Sequence, residues 1–233
     1  MRQRIEFEPA WLLTQRPYRE TSLLLELFTL QHGRVGLVAR GARGPRSKLR
    51  GILQLFTPLL LSWHEAGELG TLVAAEAVAP AVELAGERVF HGWYLNELLL
   101  RLTGRHDAHP VLYHDYGRAL ARLPGEDAEA ALRIFEKRLL GEIGYGLPLP
   151  DALEPQRRYR FDPERGAAPA AADEADSYPA ASLLALRDER LDTREALRDA
   201  RKLLRAALQR QLGGRELETP RLLRQLRELG ASD

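Results

Sequence analysis

The hydrophobic pattern changes period once along this chain, and that change restricts the folds open to it more than any single motif. Over the first third the apolar residues come in short runs: "PAWLLTQ" (9–15), "TSLLLELFT" (21–29), "GRVGLVARG" (33–41), "TPLLLSWHE" (57–65) and "GTLVAAEAV" (70–78). Gly, Pro or His-Gly turns separate them, and runs of this length bounded by such residues read as β-strands. In the third run Val35, Leu37 and Ala39 fall on one face and Gly36, Val38 and Arg40 on the other, as a period of two requires. Five short strands in so little chain suit a small closed or half-closed barrel better than a sandwich, which needs more strands. The pattern leaves open whether that barrel is an OB-fold or another small barrel.

From Leu84 the period becomes helical. "FHGWYLNELLLRL" (90–102) sets Trp93, Leu95, Leu98, Leu99 and Leu102 at helical spacing, with Gly104 as a stop. "HPVLYHDYGRALARL" (109–123) begins with Pro110, suited to a first turn. "AEAALRIFEKRLLGEIGYG" (128–146) aligns Leu132, Phe135, Leu139 and Ile143 on one stripe and ends on Gly144 and Gly146. The stretch from Pro148 to Ala181 is rich in Ala, Pro and acid; a hairpin is expected at "RRYRFDPERG" and a mobile segment at "AAPAAADEAD". "TREALRDARKLLRAALQRQLGG" (193–214) is a long helix, with Arg194, Arg198, Arg201 and Arg205 on one arc and Leu197, Ala200, Leu204 and Leu208 on the adjacent one. Lys202 extends the basic surface, while Asp192, Glu195 and Asp199 are placed to neutralise part of it. "TPRLLRQLREL" (219–229) is a last short helix. Strands first and helices afterwards predict an α+β chain, divided as 1–80 for the barrel and 81–233 for a helical domain with a mobile insert near 148–181.

A basic run interrupts the strands. "ARGARGPRSKLRG" (39–51) holds Arg40, Arg43, Arg46, Lys48 and Arg50 among three glycines and a proline, and no Asp or Glu occurs from Leu27 to His64. A basic segment unsuited to regular helix reads as a loop held toward an anion, polymeric phosphate being the commonest of that extent. A solvated turn whose charges aid solubility gives the same pattern. The whole chain, 233 residues with net charge +1, has no global basic field, and any nucleic-acid contact must be local. Hydrophobic (45%) and charged (29%) fractions are those of a globular chain rather than a disordered one. "MRQRIEFEPAWLL" shows no cleavage pattern, and "LLLSWHEAGELGTLV" is too interrupted to span a bilayer; a soluble, intracellular protein is expected.

Cysteine is absent, which removes disulfides, thiol nucleophiles and thiolate metal sites. The one cluster with metal-ligand chemistry is "RHDAHPVLYHDY", holding His106, Asp107, His109, His114 and Asp115, with His91 as a further imidazole. A metal-dependent hydrolase would need more ligands on separate helices. No phosphate-cradling glycine motif and no Ser, His and Asp set appears. The residues read as those of a binder rather than an enzyme, with no cofactor and no metal.

Four segments in order resemble the RecO family of bacterial recombination mediators. "RPYRETSLLLELFTLQHGRVGLVARGARGPRSKLRGILQLFTPLLLSW" (16–63) is similar to that family's N-terminal domain, its R-P-x-x-E-T-S, G-R-V and A-R-G-A-R tandem being the most specific part. "YLNELLLRL" (94–102), "LRIFEKRLLGEIGYG" (132–146) and "LLRAALQRQLGGRELETPRLLRQL" (203–226) are similar to its helical region. The resemblance implies an N-terminal OB-fold, binding of single- and double-stranded DNA, annealing of complementary strands, partnership with RecR, and loading of RecA onto DNA coated by single-strand binding protein (SSB). Many relatives carry a four-cysteine zinc module that this chain lacks.

OB-folds bind strands with a sheet face and the loops after strands 1 and 4. Here the first such loop is "TQRPYRET", with Arg16 and Arg19 around Tyr18, a pairing suited to backbone contact and base stacking. With Arg34, Arg40, Arg43, Arg46, Lys48 and Arg50 these are the expected DNA-binding residues. The acidic, hydrophobic-tipped SSB tail needs an apolar pocket rimmed by cations, expected from Arg133 and Arg138 with Arg201 and Lys202. An RNA-binding barrel would use similar basic loops. Having no thiolate ligand, the purified protein should carry no stoichiometric zinc by elemental analysis, and chelators should leave its Tm unmoved; a chelator-induced loss of stability would bring the His/Asp cluster back as a metal site.

Overall fold

Alternation along the early strands sends Leu12, Leu25, Leu27, Val35, Leu37, Leu59, Leu61 and Trp63 to one shared interior, and closing the sheet is what buries them together. The computed structural model, which describes residues 4–65, 67–171, 174 and 177–230, shows that closure. Strands β1 (Arg4–Tyr18), β2 (Ser22–Thr29), β3 (Gly33–Ala39), β4 (Pro58–His64) and β5 (Gly70–Ala77) form a closed barrel in the order β1-β2-β3-β5-β4. All neighbours are antiparallel except β3 and β5. This is the strand order of an OB-fold, as expected. β1 starts earlier than its apolar run because it serves two partners, pairing β4 from Arg4 to Trp11 and β2 from Ala10 to Tyr18, with a register shift along each ladder. Arg16 and Tyr18 are therefore strand residues, not loop residues.

The parallel seam is short: β3 meets β5 only at Leu37↔Gly70 and Val38↔Thr71. The rest of that edge of β3 would be left unpaired, and residues 103–107 cover it. The His106 amide donates to the Arg34 carbonyl (3.0 Å), and the Arg34 guanidinium donates to the Thr103 carbonyl (3.1 Å). Gly33, at φ +63°, lies so close to this strap that a Cβ there would sit 2.0 Å from the Asp107 carbonyl oxygen.

Contacts divide the chain into two compact units, one running to Pro124 and taking up the stretch from Leu217, the other Gly125–Glu216. The first contains the barrel, the short α1 (Leu49–Ile52), α2 (Arg88–Leu102) and α3 (Pro110–Arg122), together with a last helix at Glu218–Gly230. That last helix packs on α2. Its free N-terminal amides at Glu218 and Thr219 donate to the Glu97 carboxylate (2.8 and 2.9 Å), and Arg227 pairs with Glu87 (2.5 Å) at its other end.

The second unit holds α4 (Ala128–Glu142), a sheet of β6 (Arg158–Asp162), β7 (Gly166–Pro169) and β8 (Ser177–Pro179) in the order β7-β6-β8, then α5 (Ala180–Asp188) and α6 (Arg194–Gln211). The expected hairpin is present as β6 and β7. Part of the stretch expected to be mobile is strand, since Ala167 to Pro169 pair with Phe161 to Tyr159; residues 172, 173, 175 and 176 of it lie outside the described residues. α5 was not anticipated. Trp93, expected on the buried stripe of α2, is exposed, and Leu197 is only partly buried on α6.

Gly33→Ala adds a left-handed backbone cost of about 1–2 kcal/mol and a clash with the strap, and should lower unfolding free energy in urea by about 3 kcal/mol in all. Gly86→Ala, at φ +57° with no atom within 4 Å of the added Cβ, should cost only the backbone share, about 1 kcal/mol. Equal losses in the two variants would mean that the strap yields freely.

Candidate nucleic-acid interface

OB-folds usually hold single strands on the outer face of strands 2 and 3. Here that face is occupied. Trp11 and Phe28 point outward from β1 and β2 into α3, where Trp11 packs edge-on against Tyr116 (ring centroids 5.5 Å) and Phe28 lies 6.0 Å from Tyr113. Gly117 lets α3 approach, since a Cβ there would lie 3.2 Å from the Trp11 ring. Asn96 of α2 donates to the Leu13 carbonyl (2.8 Å) and accepts from the Tyr116 hydroxyl (2.5 Å). Burial pushes both tyrosine hydroxyls well above their ordinary pKa, which keeps Tyr116 a donor at any working pH. Further along the same face, Arg105 of the strap and Arg34 both pair with Glu26 of β2. Burial pulls the Arg34 guanidinium down, the Glu26 carboxylate opposes that, and Arg105 adds to the pull. Arg34 is thus held within the fold, apart from the other expected DNA contacts.

Those other cations gather at one rim. β1 ends at Arg16 and Tyr18, the turn to β2 carries Arg19, and the basic run leaves β3 beside them because Tyr18 pairs Ser22 and Leu23 pairs Ala39. Arg19 lies over the Tyr18 ring at 5.3 Å, the cation-and-ring pairing expected from the sequence. The run is not a free loop. Ala42 is buried in the barrel core with Leu53, and Leu49 and Ile52 of α1 pack against it. Two successive turns, Gly44 N to Gly41 O (3.0 Å) and Ser47 N to Gly44 O (3.1 Å), shape what lies between. The Arg43 amide donates to Thr21 O (2.8 Å) and its guanidinium to Arg19 O (3.4 Å) and Glu20 O (3.3 Å). Arg43 therefore ties the arm to the turn. Arg16, Arg40, Arg46, Lys48 and Arg50 are exposed and have no acidic partner among the described residues.

The residues expected to rim a peptide pocket are placed differently. Arg133 is buried and paired with the equally buried Glu136 (2.8 Å). Arg138 makes a two-pronged pair with Glu189 (3.1 and 2.6 Å), joined there by Lys137. Burial would raise the Glu189 carboxyl, but hydrogen bonds from Arg138 and Lys137 hold it below the usual range. Arg201 is exposed, 4.0 Å from Glu129, and Lys202 lies over the Tyr178 ring at 5.6 Å. The His/Asp cluster is dispersed: Asp115 is buried against Arg118, His109 sits 3.4 Å from Asp107, and no group of three or more such ligands forms among the described residues.

Residues 3–81 match the family described as Recombination protein O N terminal, and residues 84–220 match Recombination protein O C terminal. The chain is 47% identical over 228 residues to the DNA repair protein RecO of Methylococcus capsulatus, covering 95% of this chain and 94% of that one. It is 42% identical to the DNA repair protein RecO of Aromatoleum aromaticum (98% and 99% covered) and 46% identical to that of Alkalilimnicola ehrlichii (96% and 92% covered). The chain belongs to the RecO family. It is a DNA repair protein, and none of its described helices is long and apolar enough to cross a membrane.

For this RecO chain, residue types alone did not reveal that the usual OB groove is filled. The signal was available: "SLLLELF" is apolar at almost every position, not at alternate ones, as a strand buried on both faces must be. On a log–log plot of single-strand affinity against salt, Arg40→Ala, Arg46→Ala, Lys48→Ala and Arg50→Ala together should shallow the slope by about 3, four phosphates at ~0.7 each. Arg43→Ala should weaken binding with a slope change smaller than the ~0.7 of one lost phosphate, because it orients its neighbours. A slope loss of ~0.7 or more with Arg43→Ala alone would make it a phosphate contact.

Proposed function

We propose that the chain is a DNA-binding recombination mediator and strand-annealing protein of the RecF repair pathway, acting with RecR to load RecA onto SSB-coated single strands. The observation that carries this reading is the set of exposed cations at one rim of the barrel that have no acidic partner among the described residues, anchored by Ala42 and α1 and set beside Tyr18. Cations aimed outward without base-reading geometry bind phosphate regardless of sequence, which a mediator acting on any DNA needs. Tyr18 with Arg19 offers one stacking surface for an unpaired base. Single strands and duplexes both present the backbone such a rim engages.

Annealing needs only that phosphate repulsion between two strands be reduced while their bases stay free to pair. A basic rim does this without fuel, and the chain has neither a nucleotide-cradling loop nor a nucleophile set; it acts without enzymatic turnover. RecR and the SSB tail are its protein partners and RecA an indirect one, in the cytoplasm at the nucleoid. Arg133 and Arg138 are engaged by Glu136 and Glu189 inside the fold, which argues against their receiving an acidic tail.

The test is annealing of complementary oligonucleotides, naked and SSB-coated, without nucleotide, and with RNA as competitor. Naked strands should anneal without ATP, and more slowly as salt screens the rim. SSB-coated strands should additionally require an intact SSB tail. A strict ATP requirement on naked strands would remove the mechanism, and stronger competition by RNA than by DNA would make this an RNA-binding barrel instead.

A further inference from the structure

The second unit carries a basic feature that the barrel rim does not explain. On α6, Arg194, Arg198, Arg201 and Arg205 fall within an arc of about 60° at 100° per residue. They form a row about 16 Å long at ~1.5 Å per residue. The row lies opposite the buried stripe of Ala196, Leu203 and Ala207 and is exposed along its whole length. Local acids neutralise only its middle. Arg198 is taken by Glu195 (3.6 Å) and by Asp199 (3.2 Å), itself held by the Ser182 hydroxyl at 2.7 Å. Arg201 has Glu129 at 4.0 Å, while Arg194 and Arg205 have no acidic partner among the described residues. A helix that keeps arginine at four successive turns of its most exposed line, two of them without counter-charge, is laid out for an extended anion rather than for a single carboxylate.

We propose that this face of α6 is a second nucleic-acid track, holding the phosphate backbone of a second single strand while the barrel rim holds the first. The inference rests on the proposed annealing function and adds to it, since two strands held on one chain meet at a high effective concentration. The row is long enough for about three backbone phosphates, at the short end of the ~4–16 nucleotide sites of single-strand binders. It reads no bases, having no aromatic side chain along it.

Two non-complementary oligodeoxynucleotides of about ten nucleotides, one with a donor dye and one with an acceptor, are titrated onto the full chain at low salt. Wild type should carry both and give energy transfer. Arg194→Glu with Arg205→Glu alters two exposed positions; it should abolish transfer and slow annealing of complementary strands at least ~10-fold. Affinity and salt slope for the first strand should not change, and Arg194→Lys with Arg205→Lys should restore the second strand. A charge-reversed variant that still holds both strands would overturn the proposal, as would one that loses the first strand equally. Loss of SSB-tail peptide binding with both strands retained would assign the row to an acidic peptide instead. Wild type that anneals while never holding two strands would sink this inference alone; wild type that binds no DNA would sink the proposed function with it.

Discussion

Trp11 and Phe28 stand on the outside of the barrel, where an OB-fold normally meets its ligand, and α3 covers them with Tyr113 and Tyr116. Burying an aromatic or large aliphatic side chain is worth about 1.5–3 kcal/mol, so this layer is among the larger contributions to the first unit. Asn96 fixes its register, because its amide answers the Leu13 carbonyl and the Tyr116 hydroxyl at once. Losing Asn96 would take the side-chain donor from the Leu13 carbonyl, at about 1–3 kcal/mol. Further along, the strap covers the edge of β3 that β5 does not reach, and Glu26 there holds Arg34 and Arg105. The barrel is thereby stabilised on the face that would otherwise be its groove.

Covering the groove leaves the rim for function. The arm is attached at three levels: Ala42 in the core, α1 across the end of the barrel, and Arg43 to the β1–β2 turn. Between these anchors its charges meet no acidic side chain among the described residues. Unlike Arg133 or Arg138, which are neutralised inside the second unit, they remain available to an outside anion. Counter-charge, not charge, separates the candidate contacts from the structural arginines. The 34 basic residues are nearly matched by 33 acidic ones, and many of the other arginines lie beside an Asp or Glu.

The barrel and the boundaries of β2 to β5 were legible because a period of two, interrupted by glycine and proline, leaves few alternatives, and the longer helices because their apolar stripes are long. Interactions between elements distant in sequence were not legible. Nothing local to Arg34 announces Glu26 and Thr103, and nothing local to Arg133 says that Glu136 shares its burial, although a spacing of three on a helix made the pair possible. Tyr18 and Arg19 were legible as a pair because they are adjacent; that Arg16 and Tyr18 stand on a strand was not, since "TQRPY" has the composition of a turn. α5 was missed because its short apolar run follows an Ala/Pro-rich stretch that hides its start.

The central claim is that DNA is held at the rim while the covered face stays covered. Amide hydrogen–deuterium exchange of the full chain, with and without a saturating single strand, tests it residue by residue. Added protection should fall on residues 16–21 and 40–50, with β2, the strap at 103–107 and the start of α3 unchanged. Protection concentrated on residues 24–28 and 34–36, with faster exchange in the strap and α3, would show that α3 lifts away and that DNA enters the usual groove, contradicting the account.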